Sequence, residues 1–399
     1  MVLTDAPAGP DARAQEAERS VAALFGRRLA GLPGTHIGRV SLSKRRARWH
    51  LVPAGHRGRP WHYWWQAHYL DAIVDAGERG LREHDIDGAD QHARQADRLV
   101  RTIWARNLGR FGNAYFDDMA WVALALGRLA RFHDDLGPRD QVRRPARLRL
   151  VDRGTKELTA QLRAGVGDEL GGGVWWNTSR DFKNVPATGP VALHLARTGD
   201  TATASALVDW MYDRLFDPDR GLFIDGVRVE AGHERFVRDI YTYNQGTVLG
   251  TLVTLGDPRS LDRAAHLIDA VATRLTSEVE ARHPLVTHGG GDGGLFTGIL
   301  VRYLALASAS PGMDRETRGT ATTLVQDTAA ALWSGRSRRS THDGTYAVVF
   351  SADPATPAGT QDDGVTSVEL STQLQAWMTF EAAARLTAAQ PPHQPPTQR

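Results

Sequence analysis

Four glycine turns recur along this chain at nearly one spacing, and that recurrence restricts the fold more than any other feature. Gly137-Pro138, Gly199-Asp200, Gly256-Asp257 and Gly312-Met313-Asp314 each follow one helical segment and precede another, with glycines 62, 57 and 56 residues apart. Glycine suits the left-handed end of a helix, and an aspartate just after it suits the cap or first turn of the next. A period of this length marks a repeated supersecondary unit. Six such helical hairpins account for most of the 399 residues, so the spacing predicts an all-α fold, a closed (α/α)6 toroid of six hairpins.

The periodicity of apolar residues agrees. Leu99, Val100, Ile103, Trp104 and Leu108, and more cleanly Leu261, Ala264, Ala265, Ile268, Val271, Ala272 and Leu275, form amphipathic stripes. Met119 to Leu129 is apolar almost all round, as a helix buried between others would be. About a dozen helices are expected, centred near residues 22, 69, 101, 124, 153, 191, 208, 247, 267, 300, 325 and 377. No strand pattern stands out, because short apolar pieces such as Tyr346 to Phe350 sit singly between loops. One (α/α)6 domain is expected over 13-388, between a flexible N-terminus (1-12) and a disordered Pro/Gln-rich tail (389-399).

The long loops Gly167 to Asn184, Asp217 to Arg238, Glu278 to Asp292 and Gly335 to Thr366 alternate with the short turns. They belong on one rim, and loops of that length in a compact domain are where function concentrates.

Composition narrows the chemistry. Without cysteine there are no disulfides, thiolate metal sites or cysteine nucleophiles. The 48 Lys+Arg against 46 Asp+Glu give no concentrated basic field, so nucleic acid is not an expected partner. Lys44 to Arg48 and Arg143 to Arg149 read as solvated basic faces. No apolar run approaches the roughly 18 residues of a membrane span. Met1 to Pro10 lacks a cationic segment followed by an apolar one, so the expectation is a cytoplasmic protein, or a secreted one if a signal is missing from the chain as given. There is no HExxH, EF-hand loop or GxSxG elbow, and the 15 histidines are scattered, so neither metal nor cofactor is expected. The glycine-rich run at Gly289 to Gly294 lacks the lysine of a phosphate-binding loop.

Several groups could carry chemistry. In Tyr115-Phe116-Asp117-Asp118-Met119-Ala120-Trp121, adjacent carboxyls open a helix inside an aromatic frame. Repulsion and desolvation would drive their pKa values apart, suiting one as acid and one as anion, although a helix cap followed by a first-turn acid has the same pattern. Asp134-Asp135 and Asp362-Asp363 have no such frame and read as surface structure. Trp61, Tyr63, Trp64 and Trp65 fit a core or a sugar-stacking wall equally well. Trp175 and Trp176, on a Gly-rich loop, better fit a wall that stacks on sugar faces. Tyr241 to Gly246 and His288 to Phe296 supply polar groups at further loop-to-helix junctions.

Taken in order, Trp64-Trp65-Gln66, Tyr115 to Trp121, Gly173-Val174-Trp175-Trp176, Thr242-Tyr243-Asn244-Gln245-Gly246 and Gly291-Asp292-Gly293-Gly294-Leu295-Phe296 resemble glycoside hydrolase family 76, the endo-acting α-1,6-mannanases. The resemblance spans roughly residues 60 to 380. It implies an (α/α)6 fold and hydrolysis of α-mannan or α-manno-oligosaccharides with retention. It also implies Asp117 as nucleophile and Asp118 as acid/base, with Trp64, Trp65, Trp175, Trp176, Tyr243, Asn244 and Asp292 around the sugar subsites. A monomer without cofactor is the expected working form.

Other classes share parts of this pattern. A helical-toroid terpene cyclase wants DDxxD, where Trp121 holds the final position. A sugar epimerase of the same fold would use histidine chemistry, on which none of the motifs centres. An unsaturated-uronyl hydrolase shares the scaffold, and a glycan-binding protein without turnover would keep the aromatic cleft.

Overall fold

A computed structural model describes residues 9–42, 61–137, 144–341, 344–354, 356–358 and 368–388. Lys44 to Arg48, Asp362-Asp363 and the tail 389-399 lie outside the described residues, as do the side chains of Arg143, Arg144 and Arg147.

Twelve α-helices occur among the described residues. They are α1 (Pro10–Phe25), α2 (Tyr63–Arg82), α3 (Ile86–Arg106), α4 (Phe116–Asp135), α5 (Arg144–Gly165) and α6 (Val185–Arg197). They continue as α7 (Thr201–Leu215), α8 (Thr242–Leu255), α9 (Pro258–Arg274), α10 (Gly293–Ser308), α11 (Arg315–Ser334) and α12 (Leu370–Ala388). Each expected centre falls inside one of them, and α1 begins within the stretch expected to be flexible.

The even-numbered helices pack successively on one another and α12 returns to α2, which closes an inner ring of six. Helices α3, α5, α7, α9 and α11 each cover the inner helix before them in sequence, while α1 covers α12. The two ends of the chain thus make the sixth hairpin, and the fold is the (α/α)6 toroid.

Sequence explains which helices go where. Inner helix α12 is buried on every face from Leu370 to Ala384, whereas outer helix α9 buries only a stripe of Ser260, Ala264, Leu267, Ile268 and Val271. Four outer helices start with one device, a capping aspartate that accepts a backbone N–H three residues on: Asp85 from Gly88, Asp200 from Thr203, Asp257 from Ser260 and Asp314 from Thr317. Inner helices approach closely where side chains are absent. A Cβ on Gly246 of α8 would stand 2.9 Å from the Leu300 Cα of α10.

The expectation of no regular strands is amended on the long loops. Phe182–Asn184, Gly226–Glu230 and His233–Val237 form a three-stranded antiparallel sheet, and Tyr346–Val349 pairs with Ser337–Ser340. Strands of three to five residues are too short to show a period in the sequence. Among the described residues no helix is long and apolar enough to cross a membrane.

Helix α1 is fastened to the ring by buried charge. Glu18 accepts hydrogen bonds from Arg79 of α2 and from His92 of α3, whose Nε2 lies 2.7 Å from Glu18 Oε1 while Nδ1 lies 2.8 Å from the Gly88 carbonyl. Two acceptors facing one imidazole require it to be doubly protonated. Burial opposes that charge, but Glu18 and the Gly88 carbonyl outweigh it and raise His92. Burial likewise pushes the Glu18 carboxyl up, and His92 and Arg79 pull it below its usual range. The His92 contribution is therefore complete below about pH 6.5 and lost as pH rises through the raised value; the Glu18 contribution is present above about pH 4.3 and lost at lower pH. The melting-temperature deficit of His92→Asn is expected to be larger at pH 5.5 than at pH 9; an equal deficit at both would show that the imidazole is uncharged.

Candidate active site

The inner helices present their N-terminal ends to one another at a single rim, where the long loops gather. Trp64 at the start of α2 reaches Asp292 at the start of α10; Tyr243 at the start of α8 stacks on Phe296. The Gly291 amide before α10 donates to Glu369 before α12, and Phe116 N–H at the start of α4 donates 2.8 Å to the Trp176 carbonyl. Helix N-termini carry partial positive charge, which favours anionic groups at this rim.

Asp117 and Asp118 occupy the first turn of α4, and both are partly exposed in the cleft. Asp117 receives two donors, the Asp118 backbone N–H at 2.8 Å on Oδ1 and the Trp176 indole at 2.9 Å on Oδ2. Asp118 receives a side-chain donor at 2.8 Å from Asn113 Nδ2. Burial pushes both carboxyls up. The donors on Asp117 partly offset this, whereas Asp118 is raised further by the Asp117 charge beside it; Asp292 adds to both. The pair titrates as a unit, and of its two carboxyls Asp118 is the one pushed further up, so it holds a proton the more tightly.

Neighbouring elements hold this arrangement. The α3–α4 loop is clamped by Glu157 of α5, which accepts the Phe111 and Gly112 amides at 2.8 and 2.9 Å, and by Tyr63, which donates to the Phe111 carbonyl. That fixes Asn113. The loop carrying Trp176 is fixed through Trp176 N–H to the Phe182 carbonyl at 2.7 Å. Gly173, at φ 81°, lets this loop lie against Trp210, where a Cβ would come within 2.7 Å of the ring.

The structure brings Asp117, Asp118, Trp64, Trp176, Tyr243 and Asp292 to this rim. Asp292 is exposed, with Oδ1 taking the Trp64 and Trp65 indoles at 3.1 and 2.8 Å. Two aromatic groups border the pair: Trp176 edge-on to Tyr115, and Trp64 tilted against Trp121 and Phe296. The remaining three expected subsite residues stand behind this surface. Trp65 is 2% exposed and acts through its indole on Asp292. Trp175, expected against the sugar, is 4% exposed, because consecutive residues of an extended segment point to opposite sides and Trp176 takes the cleft. Asn244 is buried one residue beyond Tyr243, with Nδ2 3.3 Å from Asp225 Oδ1.

Sequence reasoning missed Asn113, Asp225 and His62. Asp225 is a further carboxyl, raised to about 6 by burial and close enough to push up the Tyr243 phenol. Its place between Ile224 and Gly226 gave no motif. His62 stacks on Trp65 with ring centroids 4.0 Å apart and has a positive φ of 44°, a strain that no sequence pattern reveals. Among the described residues no group of three His, Asp or Glu side chains is placed to hold a metal ion.

A carboxyl held by two donors next to one that holds its proton more tightly, in an aromatic-walled cleft, is the equipment of a glycoside-cleaving enzyme. The family model for glycosyl hydrolase family 76 matches residues 49–394. The chain belongs to glycosyl hydrolase family 76 and is a glycosidase. Among solved structures it is similar to the α-1,6-mannanase of Salegentibacter sp. HEL1_6, at 25% identity and TM-score 0.74 over 94% of this chain and 99% of that one. An inactive variant of that mannanase, with two adjacent aspartates replaced by asparagine and α-1,6-mannotriose bound, matches at 24% identity and TM-score 0.73, covering 94% and 99%. Dfg5 from Chaetomium thermophilum, in complex with glucosamine, shares the fold at 15% identity and TM-score 0.70 over 98% and 93%. No curated protein sequence matches the chain.

Proposed function

We propose that the protein is a retaining, endo-acting glycosidase of α-1,6-linked mannose chains in which Asp117 is the nucleophile and Asp118 the acid/base. The observation that carries this reading is the unequal treatment of two adjacent carboxyls, with two donors on Asp117 and a single side-chain donor on Asp118, whose carboxyl is pushed the further up by the charge beside it. Asp117 attacks the anomeric carbon as the glycosidic C–O bond breaks, and Asp118 gives its proton to the departing oxygen. The β-linked glycosyl ester on Asp117 is then opened by water, whose proton returns to Asp118, and the sugar leaves with the α configuration it began with. The Trp176 indole favours the ionised form of Asp117 against burial and aims it, and the two aromatic groups offer faces for sugars on each side of the cleaved bond. The likeness to an α-1,6-mannanase supports the linkage.

The test is time-resolved proton NMR of the protein with linear α-1,6-mannotetraose. Newly formed reducing ends are expected to appear first as the α anomer, with internal bonds cut. Initial β anomer would overturn retention and the nucleophile assignment. No cleavage by folded protein would overturn the linkage assignment.

A further inference from the structure

Lys183 is the fully buried lysine of the strand that follows the Trp175-Trp176 loop. Its Nζ makes three hydrogen bonds, to the carbonyls of Gly167 at 2.8 Å, Glu169 at 2.5 Å and Gly172 at 2.6 Å. The ammonium also stands 4.6 Å from the centroid of the Trp175 ring. An ammonium has three donors and no acceptor, so three carbonyls and a π face satisfy it completely, whereas a neutral amine would turn a lone pair on a carbonyl. The closest carboxylate, Glu169 Oε2 at 4.0 Å, is 57% exposed and favours the ammonium, while burial outweighs it and brings the Lys183 amine down to about 8, so at neutral pH it is mostly charged. This is a built cation receptor whose occupant is tethered to the chain.

The receptor is wired to the catalytic pair. Its carbonyls lie on residues 167–172, and the segment next along the chain is fixed by Trp175 N–H to the Gly165 carbonyl at 3.1 Å and by the Trp175–Lys183 bridge. The following residue, Trp176, holds α4 twice, through its carbonyl to Phe116 N–H and through its indole to Asp117. Replacing the cation by an apolar group leaves three carbonyl oxygens converging on one point with no donor, a cost that a shift of the loop carrying them would relieve.

We propose that Lys183 is a positioning residue whose ammonium, bound in a cage of three loop carbonyls and the Trp175 ring, sets the loop that aims Trp176 at Asp117, and that the emptied cage is a receptor for a small ammonium ion. The catalytic consequence rests on the reading of Asp117 as nucleophile; the cage itself does not.

Two variants test it. In Lys183→Met, kcat on α-1,6-mannotetraose is expected to fall about 100-fold with little change in KM, since misplacement of a catalytic group by about 1 Å carries that cost. In Lys183→Ala, methylammonium chloride is expected to raise both kcat and melting temperature above those in sodium chloride of equal ionic strength, and to leave the wild type unchanged. A role limited to filling space predicts no such rescue. Folded Lys183→Met with wild-type kcat would overturn the positioning role, and Lys183→Ala melting identically in both salts would overturn the cage. If the wild type proves inactive on this substrate, melting temperature still decides the cage separately. Should neither variant fold, the wild type labelled with 15N-lysine decides: a slowly exchanging ammonium signal is expected at neutral pH, and a set of only fast-exchanging lysines would overturn the proposal.

Discussion

Asp117→Asn and Asp118→Asn are each expected to reduce kcat/KM on α-1,6-manno-oligosaccharides by at least about 100-fold, with melting temperatures close to wild type, because general acid/base groups alone supply about 10²–10⁴-fold. Folding survives because both side chains sit at the cleft mouth of α4 and are partly exposed. Asparagine keeps the shape of each. At Asp117 it still accepts from the Trp176 indole, so loss of turnover with intact trisaccharide binding identifies a chemical role rather than a structural one.

The two roles separate with truncated variants and azide. On an activated aryl α-manno-oligoside, whose leaving group needs no proton, Asp118→Ala is expected still to form the glycosyl ester on Asp117, and azide, replacing water, is expected to yield the α-glycosyl azide. In Asp117→Ala the azide enters from the vacated nucleophile side and yields the β-glycosyl azide. Chromatographic and NMR identification of the two azides settles the assignment, and the opposite pairing of variant and anomer would exchange the roles. The unequal donors on the two carboxyls are what make the order Asp117 then Asp118 the expected one.

The parts of the site that sequence revealed are those borne by short contiguous motifs. Asp117-Asp118, Tyr243 and Asp292 each open an inner helix and Trp176 lies on the loop that leads to one, and the repeat of glycine turns already implied that such openings share a rim. Asn113 and Lys183 were hidden because their meaning is a contact. A lone lysine between Phe182 and Asn184 reads as surface until three carbonyls surround it. Trp175 and Trp176 could not be told apart as a dipeptide, since the distinction comes from which face of the extended segment meets α4. The dozen helices were legible because apolar stripes persist over ten or more residues, whereas the loop sheet pairs segments of three to five. The buried charges were illegible for a further reason. Asp71, Asp75 and Glu78 look like the polar face of an ordinary amphipathic helix, and only closure of the ring places their partners opposite them.

That closure underlies the largest stability effect expected outside the cleft. Asp75, buried on α2, accepts Arg128 of α4 at 2.7 Å, Arg302 of α10 at 2.6 Å on the other oxygen, and Arg385 of α12 at 2.9 Å. Asp71 and Glu78 share Arg128, and Glu78 also takes Arg385. Burial alone would raise the Asp75 carboxyl, but the three guanidinium groups outweigh it and hold it far below the usual range. Four of the six inner helices meet at this residue. Asp75→Asn keeps the volume and removes the charge, leaving three cations to share Asp71 and Glu78, and removing one partner from a buried ion cluster typically costs about 3–5 kcal/mol. Urea denaturation at pH 7 is expected to show a loss of that size with an unchanged slope. A loss below about 1 kcal/mol would mean that water already solvates the cluster, as for an exposed pair. Because the folded carboxyl is depressed, its contribution is present above about pH 4 and is lost as pH falls further, so wild type and variant are expected to converge in acid. Arg128→Met with Asp75→Leu supplies the contrast: the pair of changes is expected to cost less than the two single changes combined, since it removes an anion and a cation together.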